Sequence, residues 1–349
     1  MNRRDLIAAL TSLAAARSLL ATVGEGRSQI GMCTFSCHQH WKAIQAGEPG
    51  VKFSDAISFY RYARKLGAEG VQTPLRSKDT NLAKQIRAFV ERDGGYYEGD
   101  LRMPRNESDV AEFESDVRLA REAGATVART VFTSGRRYEA MKSAEEFRAF
   151  QRQTEKSLAL VEPALRKHRL KLAIENHKDY TADELVALMC KVSSEWIGVL
   201  VDTGNNIALL DEPHAAVEAL APFALSVHLK DMAVQPSEDG FLLSEVPLGT
   251  GVLDLPRIIT ALRKANPSIV FNLEMATRDP LRVPCLKDAY FATMPDQKGA
   301  RLDATIVWVN KNPAKRLPPY VSGKPTSQIL TEEETNNREC LDWMQTNLR

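Results

Sequence analysis

The chain has 349 residues, 44% hydrophobic and 26% charged, and its 46 basic and 45 acidic residues leave a net charge of +1. That balance excludes a disordered chain, and the lack of a basic excess removes nucleic acid as an expected partner. The five cysteines are too few and too scattered for a disulfide-stapled scaffold.

Residues 1–25 read differently from the rest. Arg3 and Arg4 precede an alanine-rich run from Ala8 to Ala21. A charged start, a mildly apolar run and small residues afterwards describe an export signal, and the paired arginines resemble the twin-arginine type. The expected location is therefore periplasmic. It is cytoplasmic if the segment is instead an N-terminal helix packed on the domain. The run is too short and too polar to span a membrane.

From residue 28 onward, apolar strands alternate with amphipathic helices. The expected strands are Gln29–Phe35, Gly70–Thr73, Tyr96–Leu101, Thr126–Thr133, Leu170–Glu175, Ile197–Asp202, Ala224–His228 and Ile269–Glu274. Each is apolar on both parities, as a strand buried on both faces must be. Ser54 is expected to cap a helix that stops at Gly67, and Ser143 a long helix kinked at Pro163. Thr181 and Asp254 are expected to cap two more, and segments 80–93, 107–123, 213–221 and 297–311 fill the remaining helical places.

Eight strand–helix units predict an α/β fold, a (β/α)8 TIM barrel over residues 26–311. A doubly wound sheet is the alternative, but no glycine-rich phosphate loop follows the first strand. A linker-like run from Asn312 to Pro319 and a helix capped by Thr331 make residues 312–349 an extension lying on the barrel. Cys340, Leu341, Met344 and Leu348 form the apolar side of that helix, and a role for it in self-association is left open.

The last four strands each deliver a metal-ligand side chain at the carboxyl end: Glu175, Asp202, His228 and Glu274. In a barrel these ends converge on one mouth, where active sites sit. Three uncompensated carboxylates there would cost several kcal/mol each or stay protonated. A divalent cation resolves this, and one imidazole with three carboxylates favours Mn²⁺, Mg²⁺ or Co²⁺ over a closed zinc site. The bland reading makes Glu175 and Asp202 helix caps and His228 a satisfied core histidine, and four such residues at equivalent positions outweigh it.

Neighbouring residues extend the site. His177 is a proton shuttle or a supporting partner. Lys230 places a cation over an enolate oxygen or pairs with Asp231. Asn205 faces a substrate hydroxyl or makes the turn. Arg278 binds a substrate oxygen or forms a surface ion pair. His38, His40 and Trp41 follow the first strand; Trp41 stacks on a sugar or belongs to the core. Glu98 and Arg129 are further pocket candidates.

Ile174-Glu-Asn-His177, Val201-Asp-Thr-Gly-Asn205, His228-Leu-Lys-Asp231, Leu248-Gly-Thr-Gly-Val-Leu-Asp254 and Asn272-Leu-Glu-Met275 together resemble the xylose isomerase-like TIM-barrel superfamily of sugar isomerases and epimerases. The resemblance covers about residues 28–280 and implies a metal on Glu175, Asp202, His228 and Glu274, with Mn²⁺ first and Mg²⁺, Co²⁺ or Zn²⁺ as the others. It also implies that Glu175 and Glu274 move protons on opposite faces of a carbohydrate substrate. This chain departs from many epimerase members in having Asn205 where they have a histidine and Val234 where they have an arginine. Contacts to the terminal hydroxyl of a simple free ketose therefore do not carry over. The DNA-repair members need a larger histidine set than the six histidines here provide. The resemblance thus implies a sugar or keto-sugar isomerase or epimerase. The alternatives are a lyase acting on an oxidised sugar by decarboxylation or β-elimination, and a sugar-binding barrel without catalysis.

Overall fold

The computed structural model describes residues 28–75, 78–312, 314 and 319–349. The expected export segment, residues 1–25, lies outside them, as does most of the linker. In chain order the strands are β1 (Ile30–Cys33), β2 (Gly70–Gln72), β3 (Tyr96–Asp100), β4 (Val127–Thr130), β5 (Lys171–Glu175), β6 (Ile197–Asp202), β7 (Ala224–Leu229), β8 (Asp231–Ser237), β9 (Gly240–Val246), β10 (Phe271–Leu273) and β11 (Leu281–Val283). Strands β1 to β7 and β10 close into a parallel ring in the order β1-β10-β7-β6-β5-β4-β3-β2. This is the expected TIM barrel. Its strands lie within the expected spans, except that β7 runs one residue further. Burial on both faces explains their composition: Val199, Leu200 and Val201 of β6 are all fully buried.

Helix capping follows local chemistry. Thr181 accepts from the Glu184 N–H while the Glu184 carboxylate accepts from the Thr181 N–H, a reciprocal cap that opens Ala182–Val192. Ser143 and Asp254 also cap as expected. Ser54 does not: Asp55 and Ser58 form the reciprocal cap of Ala56–Lys65. The long helix Ala144–His168 runs on through Pro163. The final helix, Thr326–Asn347, starts five residues before the expected cap, so Thr331 lies inside it and its hydroxyl donates to the Ser327 carbonyl. No helix among the described residues is long and apolar enough to cross a membrane.

Several elements were not expected. Residues following β1 form the helix His38–Ala46. A hairpin, β8 and β9, leaves the barrel after β7 and pairs with β11 in a separate antiparallel sheet. Its tight turn pairs Ser237 with Gly240 across the two-residue loop Glu238-Asp239.

The final helix is anchored across the start of the barrel. Cys340, Leu341, Met344 and Leu348 are fully buried, as the apolar pattern required. The Asn337 amide donates to the Ser36 carbonyl at 2.7 Å. The Glu333 carboxylate accepts from the Gln39 and His40 N–H groups at 2.8 and 3.1 Å and meets His40 Nδ1 at 2.6 Å. One fully buried carboxylate thus satisfies the amino-terminal donors of the helix His38–Ala46. Glu333→Ala is expected to cost about 2–4 kcal/mol of stability in a urea melt, because it strands those donors in the interior. A loss below about 0.5 kcal/mol would contradict that anchoring role.

Candidate metal centre at the barrel mouth

Glu175 ends β5, Asp202 ends β6, His228 is the penultimate residue of β7, and Glu274 follows β10. All four side chains are buried, and one donor atom from each lies within 4.8 Å of the others. Cys33, at the end of β1, groups with His228 and Glu274 in the same way.

Each side chain is held from behind. Asp202 Oδ1 accepts from the Gly204 and Asn205 N–H groups, both at 2.9 Å, so the turn uses one oxygen and leaves Oδ2 facing the cluster. The Asn176 side chain exchanges hydrogen bonds with the Asp202 backbone at 2.7 and 2.9 Å, tying the ends of β5 and β6 together. Arg129 donates to Glu175 Oε2 from two nitrogens, at 2.6 and 2.9 Å, and to the Asp100 carboxylate at 2.9 and 3.0 Å. Burial opposes ionisation of Glu175, but the Arg129 guanidinium holds its carboxyl down at about 2.

His228 is oriented from inside the barrel. Its Nε2 meets Gln72 Oε1 at 2.6 Å, while Gln72 Nε2 donates to Glu98 at 2.8 Å. Glu98 also accepts from Ser226 at 2.8 Å and Asn272 at 2.9 Å. Because the amide nitrogen of Gln72 is committed to Glu98, its oxygen must face His228. His228 therefore keeps its proton on Nε2 and presents Nδ1 to the cluster. Glu98 is thus part of the scaffold behind the site. Gln72→Leu is expected to weaken divalent-metal affinity about 10–100-fold, measured by competition with a chelating dye. An unchanged affinity would show that the amide does not set the ring.

The residues fit a divalent cation. His228 Nδ1 and Glu274 Oε2 are buried, face each other in close contact and have no hydrogen-bonding geometry. Asp202 Oδ2 also lacks a hydrogen bond, although Lys230 Nζ lies 2.8 Å away. Lys230 is 3.0 Å from Glu274 Oε1 and 3.7 Å from Glu245 Oε1. Burial opposes the charge on Lys230, but these carboxylates raise it above the usual lysine range. Burial raises the Asp202 carboxyl to about 6 against the pull of Lys230.

The remaining candidates separate. Asn205 joins the site: its amide donates to Glu175 Oε1 at 3.1 Å, and its oxygen accepts from Lys178. Lys230 does not pair with Asp231. Asp231 instead accepts from the Gly249, Gly251 and Leu253 N–H groups at 2.8–3.2 Å and shapes the Pro247–Gly251 loop. Arg278 pairs with Glu245 at 2.6 and 3.2 Å and lies over the Phe35 ring at 5.5 Å. This is a largely buried ion pair next to the cluster and not a surface one. His177 makes no hydrogen bond at Nδ1, and burial beside Lys178 lowers it to about 4. His38 stacks on Phe35 at 5.0 Å.

Trp41 is corrected. Its indole packs on Phe53 at 4.9 Å and Phe59 at 5.9 Å in a buried aromatic cluster, so it serves the core and offers no face to a sugar. Phe35, 42% exposed, is the aromatic left open after β1. Three other residues were missed: Gln72, Glu245 and Lys178. Glu245 comes from the unexpected β9, and Lys178 lies three residues beyond a strand end.

Residues 60–301 match the family model described as xylose isomerase-like TIM barrel. The chain belongs to that family. The D-psicose 3-epimerase structure solved in the presence of D-fructose is similar at a TM-score of 0.56 and 15% identity, over 92% of this chain and 99% of that one. A xylose isomerase-like TIM barrel protein from Mycobacterium smegmatis, in complex with magnesium, is similar at a TM-score of 0.52 and 16% identity, over 81% of this chain and 98% of that one. At these identities the likeness establishes the fold alone. By sequence, the chain is 29% identical over 114 residues to the 3-oxo-isoapionate decarboxylase of Pectobacterium atrosepticum, covering 32% of this chain and 42% of that one. The chain spans less than half the length of the curated relatives it matches.

Proposed function

We propose that this xylose isomerase-like barrel is a divalent-metal-dependent isomerase or epimerase of a sugar or keto-sugar. The observation that carries this reading is the buried quartet Glu175, Asp202, His228 and Glu274, with donor atoms within 4.8 Å at the barrel mouth. Three carboxylates and one imidazole suit Mn²⁺, Mg²⁺ or Co²⁺, and the magnesium complex of a fold relative agrees with a hard cation. When bound, such a cation supplies Lewis acidity toward a substrate carbonyl and acidifies the adjacent C–H bond.

The chain's own groups do the rest. Glu175 and Glu274 remove and return the proton from the two sides of the site. Arg129 keeps Glu175 ionised, and Lys230 and His228 hold Glu274 well below the usual carboxylate range against burial. Carboxylates this acidic are weak bases, so the mechanism depends on an acidified C–H. Lys230, held protonated, is the donor to an oxygen that gains negative charge. A cavity of about 810 Å³ lies beside Asp100, Phe132 and Phe150 at the ends of β3 and β4, and Asp100 links it to Glu175 through Arg129, although no residue of the quartet lines it.

One observation favours a second reading, a lyase on an oxidised sugar: the partial match to a 3-oxo-acid decarboxylase. Loss of CO₂ from a 3-oxo acid also leaves an enolate, so the same groups would serve. Incubation of the metal-loaded protein with ketoses and keto-sugar acids in D₂O separates the outcomes. Deuterium in the recovered sugar supports the isomerase or epimerase. Release of CO₂ supports the lyase. Binding without either reaction points to a non-catalytic barrel.

A further inference from the structure

The mouth holds more buried cations than the quartet needs. The ammonium groups of Lys178 and Lys230 converge on a single acceptor, Asn205 Oδ1: Lys178 donates to it, and Lys230 Nζ lies 3.5 Å away. Both lysines are buried, and Lys178 has no carboxylate within ion-pair distance among the described residues. Buried lysines are ordinarily paired. Arg278 is no help to this balance, because it already occupies both oxygens of Glu245.

Buried charges of the two signs are equal in number around the quartet. Buried Glu175, Asp202, Glu245 and Glu274 match Arg129, Lys178, Lys230 and Arg278. A divalent cation on the quartet would add two positive charges to this set, which Asp100 at the rim and the buried Glu98 behind His228 offset in number. The cation would also engage the Asp202 and Glu274 carboxylates that now neutralise Lys230. The backbone presents Lys178 deliberately: its φ is 70°, the left-handed region that a lysine seldom adopts, and its carbonyl accepts from the Arg137 N–H at 2.9 Å. Burial and the neighbouring Lys230 charge lower the Lys178 ammonium to about 8, the signature of a cation short of an anion.

We propose that the substrate is anionic, a keto-sugar bearing a carboxylate or a phosphate ester, and that Lys178 with Lys230 forms the subsite for its charged group. This rests on the reading of the mouth as a carbohydrate site and adds the substrate class.

The test is calorimetric binding of three probes, 2-keto-D-gluconate, D-fructose 6-phosphate and D-fructose, to manganese-loaded and to metal-stripped protein. One of the anions is expected to bind at least about tenfold more tightly than D-fructose, and which one it is separates carboxylate from phosphate. Lys178→Met is expected to erase that preference. Lys178→Arg is expected to restore it. Removing an unpaired buried charge should leave the melting temperature of Lys178→Met unchanged or higher. Equal affinity for D-fructose, a preference that survives Lys178→Met, no anion binding at millimolar concentration, or a melting temperature lowered by more than about 5 °C would each overturn the proposal. Metal content measured in the same samples keeps the two readings apart. An anion preference without bound metal leaves the lysine subsite standing and removes the metal-dependent mechanism. Bound metal without the preference does the reverse.

Discussion

Glu274→Gln is expected to lower turnover of the true substrate by at least about a thousandfold, equivalent to about 4 kcal/mol of barrier. The glutamate carries two roles that an amide cannot fill: one oxygen faces His228 Nδ1 in the cluster, and the other accepts from Lys230 at 3.0 Å. Glutamine keeps the volume but removes a negative charge from the proposed cation site and, on the proposed mechanism, the proton acceptor from one side of the substrate. The fold should survive, because the change removes charge from a crowded ionic cluster without opening a cavity. Deuterium exchange from D₂O into substrate is the cleanest measurement, since it reads proton removal directly. Exchange within tenfold of the native rate would exclude Glu274 from both roles. Glu175→Gln is expected to be comparably severe and to free Arg129, which now donates to it from two nitrogens.

Metal affinity is expected to rise with pH through the neutral range. Burial disfavours the imidazolium of His228, but the carboxylates of Glu274 and Glu175 outweigh it and raise the group well above 6.5. In the metal-free protein the ring therefore holds its second proton to higher pH than a free imidazole does. A metal ligand must be neutral imidazole, so loading expels the Nδ1 proton while Nε2–H stays on Gln72. Raising the pH removes a proton that competes with the metal, which fixes the sign. Below pH 6 the Asp202 carboxyl, raised to about 6, adds a second competing proton and the slope should approach two. Calorimetry in buffers of different ionisation enthalpy should register about one proton released per ion at pH 7. Affinity independent of both buffer and pH would show that His228 is already neutral or is not a ligand.

The sequence made the barrel and the quartet legible for one physical reason. Strands buried on both faces are apolar throughout, so Glu175, Asp202, His228 and Glu274 stand out as polar ends of apolar runs. The rest carried no comparable mark. Lys178 looks like an ordinary loop lysine until the left-handed backbone turns it inward. Glu245 lies in a hairpin whose alternation was masked by the preceding motif at His228. Trp41 and Phe35 both follow β1, and only packing distinguishes the buried indole from the half-open phenyl ring. The helix His38–Ala46 is short and polar, and it is secured by Glu333 nearly three hundred residues away. Separations of that kind leave no local pattern.

A single cation at the mouth is the central expectation. Elemental analysis of purified protein, after loading with Mn²⁺ and removal of free metal, measures it. About one divalent ion per chain in the native protein, and little in Glu274→Gln or in Asp202→Asn, is the result predicted. No retained metal in the native protein, or retention that neither substitution reduces, would contradict it.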